Sequence, residues 1–134
     1  MIRYEELQIG DFVLVNGTPR RVEAITKRKI GYHLNPKEDN RLYYARLRDV
    51  EPIWLSEEFL ERNGCVEGAD EVFRIFSGIH VVELKLRHSY RCNVKIFVDH
   101  PFDSDTMLDS CFWAKLHVLQ QILRIFEIEK EWKL

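Results

Sequence analysis

The residues best equipped for chemistry crowd into one stretch, Thr18–Val50, where nine Lys/Arg stand against four Asp/Glu. Arg20, Arg21, Lys27, Arg28, Lys29, Arg41, Arg46 and Arg48 alternate there with Tyr32, Tyr43 and Tyr44. A nucleic acid asks for this pairing of types, since cations release counterions from phosphates and aromatic faces stack on bases. The same residues have a plainer use: a small β-structure covers its outside with polar groups, and Lys and Arg blunt exposed strand edges. The chain as a whole dilutes the strip, because 20 Lys/Arg against 22 Asp/Glu leave a net charge of -2 and a pI of ≈ 6.2. Dedicated nucleic-acid binders carry a larger excess. The basic character is therefore local, with ten Lys/Arg and eight Asp/Glu in residues 1–53 and ten against fourteen in the remainder.

Other constellations carry less. Glu83-Leu84-Lys85 matches the ExK element of metal-dependent nucleases, in which alternate strand residues share a face and a carboxylate holds Mg²⁺, here with Asp70 or Glu71 upstream as a second ligand. Glu83, Lys85 and Arg87 equally form the solvent side of a strand whose Val82, Leu84 and Leu86 point inward. The acidic run Asp99–Asp105, with Asp109 beyond, lacks the glycine and glutamate that a calcium loop would need at Leu108 and Ala114. Its simpler reading is a turn at Asp103 or Asp105 and a helix cap at Asp109 or Ser110. His33, His80, His88, His100 and His117 show no metal-ligand spacing; His80 falls on an inward strand face and His117 on the polar side of the last helix. Cys65, Cys92 and Cys111 form no CxxC pair and read as buried, reduced thiols. No phosphate loop, nucleophile elbow or dinucleotide fingerprint is present, so the sequence leans away from an enzyme and implies no cofactor.

These residues have to be positioned by a chain of 134 residues, 46% hydrophobic, enough for one domain or two small units with a packed interior. Phe12–Val15 is apolar on both faces, as in a covered strand, and Asn16-Gly17 supplies a turn that accepts positive φ. In RRVEAITKRK, Val22, Ala24 and Thr26 alternate with Arg21, Glu23, Ile25 and Lys27, predicting one half-exposed strand. KIGYHL and RLYYARL follow as short strands around the polar loop Asn35–Asn40. Ser56 is placed to cap a short helix over 56–63, with Glu57 and Glu58 at its positive end and Gly64 beyond it. EVFRIF, IHVVELKLR and RCNVKIFVD then predict a meander with turns at Ser77-Gly78 and His88-Ser89-Tyr90. Phe112, Leu116, Leu119, Leu123 and Phe126, widened by Val118, Ile122 and Ile125, predict a helix lying on that meander, with His117, Gln120, Gln121, Arg124 and Glu127 outward. The charged start MIRYEELQIGD and the lack of a long uncharged apolar run predict a cytoplasmic protein with no membrane partner.

Gly10-Asp11-Phe12-Val13-Leu14-Val15, with Asn16-Gly17 and Val22, resembles the opening of SH3-like barrels. The order of the pieces is also similar to a group of short, uncharacterised proteins of gut anaerobic bacteria and their phages. The residues that carry this likeness are Leu7–Asn16 with Gly17 and Val22, then Glu51-Pro52-Ile53 and Leu55–Leu60 with Asn63-Gly64, then His117 and Leu119-Gln120. It implies an architecture and a phage or prophage origin, and no catalytic residue.

The expected fold is α+β: a small SH3-like β-barrel over 1–53, then over 54–134 a helix, a three-stranded antiparallel meander and a C-terminal amphipathic helix, one compact unit with the barrel. The expected function is a non-enzymatic binding or adaptor protein. Its partner is another protein or a second copy, gripped through Trp54, Trp113, Trp132 and the Ile125-Phe126-Ile128 cluster, or else a nucleic acid on the basic face. A Mg²⁺-dependent nuclease is the distant alternative.

Overall fold

The computed structural model describes every residue except 1, 36, 38, 39, 69, 70 and 100–103. The chain forms two units, Met1–Ile53 with Lys115–Ile122, and Trp54–Ala114 with Leu123–Leu134.

In the first unit, β1 (Phe12–Val15) pairs on one side with β2 (Thr18–Arg21) and on the other with β6 (Val50–Pro52), both antiparallel. Asn16 at φ 49° and Gly17 at φ 81° make the two-residue turn between β1 and β2, the mirror-image turn whose twist suits a hairpin. The run expected to form one strand is divided at Val22-Glu23: β2 stays with β1, and β3 (Ala24–Ile25) joins β4 (Lys29–Tyr32) and β5 (Tyr43–Arg46) in a second sheet. Hydrogen bonding among the described residues thus gives two three-stranded sheets and no closed barrel. Val13, Val15, Val22, Ile30, Ala45, Leu47 and Val50 are buried together with Ile2 and Leu7 as one core.

The start of β1 is built unusually. Gln8–Asp11 turn with Gly10 at φ 95°; Gly10 N donates to Val22 O (2.8 Å) while Val22 N donates to Asp11 O (2.8 Å). Two residues thus face one, a glycine-type bulge that only a residue tolerant of positive φ can occupy. The Asp11 carboxylate, fully buried, accepts from Gln8 N and from Gln121 Nε2, both at 2.8 Å. Gln120, also buried, accepts from Phe12 N at 2.8 Å and donates to Gly10 O at 3.1 Å. β6 reaches β1 no further than Pro52 opposite Val13, and proline has no N–H to give. The Gln120 amide therefore takes over the ladder where β6 ends.

Both glutamines lie on α2 (Leu116–Ile125), whose first seven residues belong to the first unit and last three to the second. The helix departs from its expected orientation. It starts at Leu116, not near Phe112, and His117 and Gln120 are buried while Ile125 is 75% exposed. Leu116, Leu119 and Leu123 are buried as the periodicity predicts. Hydrogen bonding shifts the inward face toward Gln120, because a buried amide with two backbone partners costs less than two orphaned backbone groups.

In the second unit, Ser56 Oγ accepts from Phe59 N (3.1 Å) and caps α1 (Glu57–Arg62), and Gly64 at φ 75° follows it, as the sequence predicts. The buried Asn63 side chain donates to Phe59 O and Lys133 O and accepts from Lys133 N, which ties the C-terminal segment to the end of α1. The predicted meander is present as β8 (Phe73–Ser77), β9 (His80–Arg87) and β10 (Arg91–Asp99). It is enlarged to five antiparallel strands by β7 (Val66–Glu67) and β11 (Ser104–Trp113), in the order β11-β10-β9-β8-β7. Asp109 and Ser110, expected as helix caps, and Phe112, expected in the helix, are strand residues of β11. The pairing of β11 steps from Ile96 opposite Leu108 to Phe97 opposite Thr106, leaving Met107 as a bulge.

Gln120→Ala should lower the unfolding free energy by about 2–4 kcal/mol, because it strands the buried Phe12 N–H and Gly10 C=O together. Gln121→Ala, which removes more exposed bonds, should cost about 1 kcal/mol. Urea titrations of the two variants check the order, and equal losses would contradict the role given to Gln120.

Candidate nucleic-acid interface

The eight basic residues singled out from the sequence fall into distinct places in the first unit. Thr26 shapes the tip between β3 and β4: its Oγ1 accepts from Lys29 N (3.0 Å) and Arg28 N (3.4 Å), and its own N–H donates to Lys29 O (2.9 Å). Leu47 N donates to Arg28 O at 2.9 Å, which fixes the single 3-10 turn Leu47–Asp49 beside that tip. The tip, this turn and the N-terminal segment border a groove of about 640 Å³. Five of the expected cations line it, namely Lys27, Arg28, Lys29, Arg46 and Arg48. Arg3, which sequence reasoning missed because it lies far from the strip, is the sixth, and Glu5 is the one carboxylate among the described lining residues.

Two of these cations, Lys29 on β4 and Arg46 on β5, stand directly opposite each other in the sheet. Like charges in that position destabilise a sheet by a few tenths of a kcal/mol or more unless something anionic lies between them. All six side chains belong to residues that are solvent-exposed, which keeps them hydrated and available.

Arg20, Arg41, Tyr32 and Tyr43 form a separate cluster. Tyr32 and Tyr43 face each other across β4 and β5 with ring centroids 6.3 Å apart; Arg20 lies 5.3 Å over Tyr32 and Arg41 5.3 Å over Tyr43. Arg20 Nη1 also donates to Leu34 O (3.4 Å), and His33 Nδ1 lies 2.9 Å from Arg41 O. Half-buried and already capped by guanidinium groups, these two tyrosines serve packing and cation–π stabilisation more than base stacking. Arg21 pairs weakly with Glu23 at 3.7 Å on the surface. Tyr44 is exposed on the other face of the second sheet, where its ring lies over Gly31; a Cβ there would meet Tyr44 Cε1 at 3.2 Å and Ala24 Cβ at 3.0 Å.

The remaining candidates separate. Glu83, the ExK carboxylate, lies opposite Arg74 on β8, whose Nη2 is 3.8 Å from its Oε2. Asp70 and Asp103 lie outside the described residues, and among the described residues no three His, Cys, Asp or Glu come together as a metal site. His80 is half-buried at the edge of β9 rather than in the core. Cys65 and Cys92 are buried as expected, whereas Cys111 is exposed on β11. Burial pushes the Cys65 thiol up, and burial next to the Cys111 thiol pushes Cys92 up to about 12. Trp132 stacks on Phe59 at 5.9 Å, while Trp54 and Trp113 remain exposed.

His117 departs furthest from expectation. It is fully buried, and neither ring nitrogen has a hydrogen-bond partner among the described residues. Burial pushes its pKa below the ordinary value, reinforced by Lys115 and opposed by Asp11 and Glu6. Nothing in the spacing of residues 112–126 marks it as buried, since its helical position is polar by pattern.

No known protein family, curated protein or solved structure matches the chain. No described helix is long and apolar enough to cross a membrane.

Two outcomes follow from these environments. An unfolded histidine takes up a proton below about pH 6.5, and folded His117 resists doing so, so stability is full above that pH and falls as pH drops below it. Urea midpoints measured from pH 7.5 to about 5 should show this decline at up to about 1.4 kcal/mol per pH unit, and His117→Leu should flatten it; an unchanged slope in the variant would contradict the assignment. With a thiol reagent at neutral pH, Cys111 alone should react in the folded protein, and Cys65 and Cys92 only after denaturant is added. Three fast-reacting thiols would contradict the burial of two.

Proposed function

We propose that the chain is a non-enzymatic binding protein whose ligand is a nucleic acid, held by its phosphates along the basic groove of the first unit. One observation carries this reading: Arg3, Lys27, Arg28, Lys29, Arg46 and Arg48 converge on one groove with Glu5 the single carboxylate among its described lining residues, in a chain whose net charge is negative. Exposed, closely spaced cations with a single carboxylate among the described lining residues are what counterion release from a phosphate backbone requires.

We read the first unit as an opened form of an SH3-like barrel. Support comes from the succession of short antiparallel strands and from the return of β6 to β1, which joins both ends of the first fifty residues in one sheet. A phage or prophage origin and a cytoplasmic setting go with the likeness of the sequence pattern to short proteins of gut anaerobes and their phages. A broader adaptor role, including self-association, draws support from the exposed Ile125 at the end of α2. Light scattering that returned a monomer at high concentration would count against self-association.

The direct test is fluorescence anisotropy with labelled single- and double-stranded DNA and RNA at low and moderate salt. Binding should weaken steeply with salt, and Lys27→Ala with Arg28→Ala should lower affinity roughly tenfold and reduce the log–log salt slope by about 2. Absent or salt-insensitive binding would retire the proposal.

A further inference from the structure

The outer face of the five-stranded sheet, opposite the buried Val82, Leu84, Val94 and Ile96, can be followed in rows across the strands. One row runs Asp109, Lys95, Glu83, Arg74. Charges alternate there, as cross-strand stability asks. Nearer the β9–β10 turn the rule is broken. That row runs Trp113, Arg91, Arg87, and the next runs Cys111, Asn93, Lys85. Arg91 and Arg87 are directly opposed, and neither row holds a carboxylate.

Composition makes the placement telling. Residues 54–134 hold fourteen Asp/Glu against ten Lys/Arg, yet by register the acids of the described strands on this face are Glu83, Asp109 and, at the far end of β10, Asp99, beside five cations. The cations are also held in position. The Arg91 guanidinium lies 3.8 Å over the Trp113 ring, and Asn93, with its amide oxygen turned toward Arg87, accepts from Arg87 Nη2 (2.8 Å) and Nε (3.1 Å). At the same end of the sheet, three large aromatic residues stay in water: Trp113 at 48% exposure, Trp54 at 41% and Tyr90 at 69%. Trp54 and Tyr90 pair with ring centroids 5.1 Å apart. Exposed rings here stand beside two directly opposed cations, an arrangement that costs a sheet stability unless something anionic lies between them.

We propose that this corner of the sheet binds single-stranded nucleic acid, with phosphates on Arg87, Arg91 and Lys85 and unpaired bases stacked on Trp113 and the Trp54–Tyr90 pair. Aromatic faces select single strands because a duplex hides the faces of its bases and offers only phosphates. The inference rests on reading the chain as a nucleic-acid binder, and adds a second contact surface and a preference for one strand.

The test follows intrinsic tryptophan emission and anisotropy together, using the full chain, a labelled thymidine oligonucleotide of about 20 residues and a duplex of equal length. The single strand should quench emission. Trp113→Ala should weaken single-strand binding about tenfold and leave duplex binding within twofold, and Arg91→Gln should weaken it while circular dichroism shows the sheet intact. Quenching should survive Trp132→Phe. It should survive Lys27→Ala with Arg28→Ala as well, and if that double variant loses no affinity, the groove reading fails while this one stands. Single-strand binding that neither quenches tryptophan nor responds to Trp113→Ala overturns this inference and leaves the groove reading in place. No binding to any nucleic acid overturns both.

Discussion

Two hydrogen bonds from one side chain hold the first unit in register. Gln120 reaches Gly10 O and Phe12 N across more than a hundred residues of sequence, and its neighbour Gln121 reaches the buried Asp11 carboxylate. Without them the start of β1, bent by the Gly10 bulge and abandoned by β6 at Pro52, would leave two backbone groups dry and unpaired. Such groups cost about 1–3 kcal/mol each, a large share of the stability of a small domain. The amide also fixes position. An apolar helix face tolerates a slip of one turn, but only one placement of α2 gives both atoms of Gln120 their partners, so the bond specifies the core as well as stabilising it. The first-unit core of Val13, Val15, Val22 and Ile30 is assembled around a strand whose entry is set in this way.

Against that economy, the distribution of charge looks wasteful. Among the described residues two basic pairs are directly opposed, Lys29 with Arg46 in the second sheet of the first unit, and Arg87 with Arg91 in the five-stranded sheet, which elsewhere follows the rule of opposite charges, as Arg74 and Glu83 do. Each unit thus contains one place where local stability and side-chain choice disagree. Disagreements of this kind are where binding surfaces are expected, because the missing counter-charge is supplied by the ligand. The Arg20–Tyr32 and Arg41–Tyr43 pairs are a contrast: their rings are half-buried, whereas Trp113, which Arg91 also covers, keeps about half of its surface in water.

Much of the architecture is legible in the sequence because it is local. Asn16-Gly17, the Ser56 cap, and the alternation of Val82, Leu84, Val94 and Ile96 each announce an element through residues only a few positions apart. β11 is not legible, because an edge strand with most of its side chains in water, reading SDTMLDS, has the polarity of a loop. The break between β2 and β3 is hidden for a related reason: Val22 and Ala24 keep their alternation while the chain changes sheets. His117 and Gln120 look polar on a helical wheel, and only partners contributed by residues 10–12 explain why Gln120 points inward. The cations were visible as a strip, but their division into groove and stacked pairs depends on cross-strand register, and Arg3 enters through a contact no pattern near it suggests.

The bond from Gln120 also orders events in time. A chain emerging from the ribosome presents β1 about a hundred residues before α2, and synthesis runs at roughly 5–20 residues per second. For several seconds Gly10 and Phe12 must wait with their backbone groups in water, although β2 and β6 are already available to pair. The first unit is completed by residues 115–122, so its register is set only after those residues have left the ribosome. A nascent chain stalled before that point would carry an open strand edge, the feature most readily taken up by chaperones or by another chain.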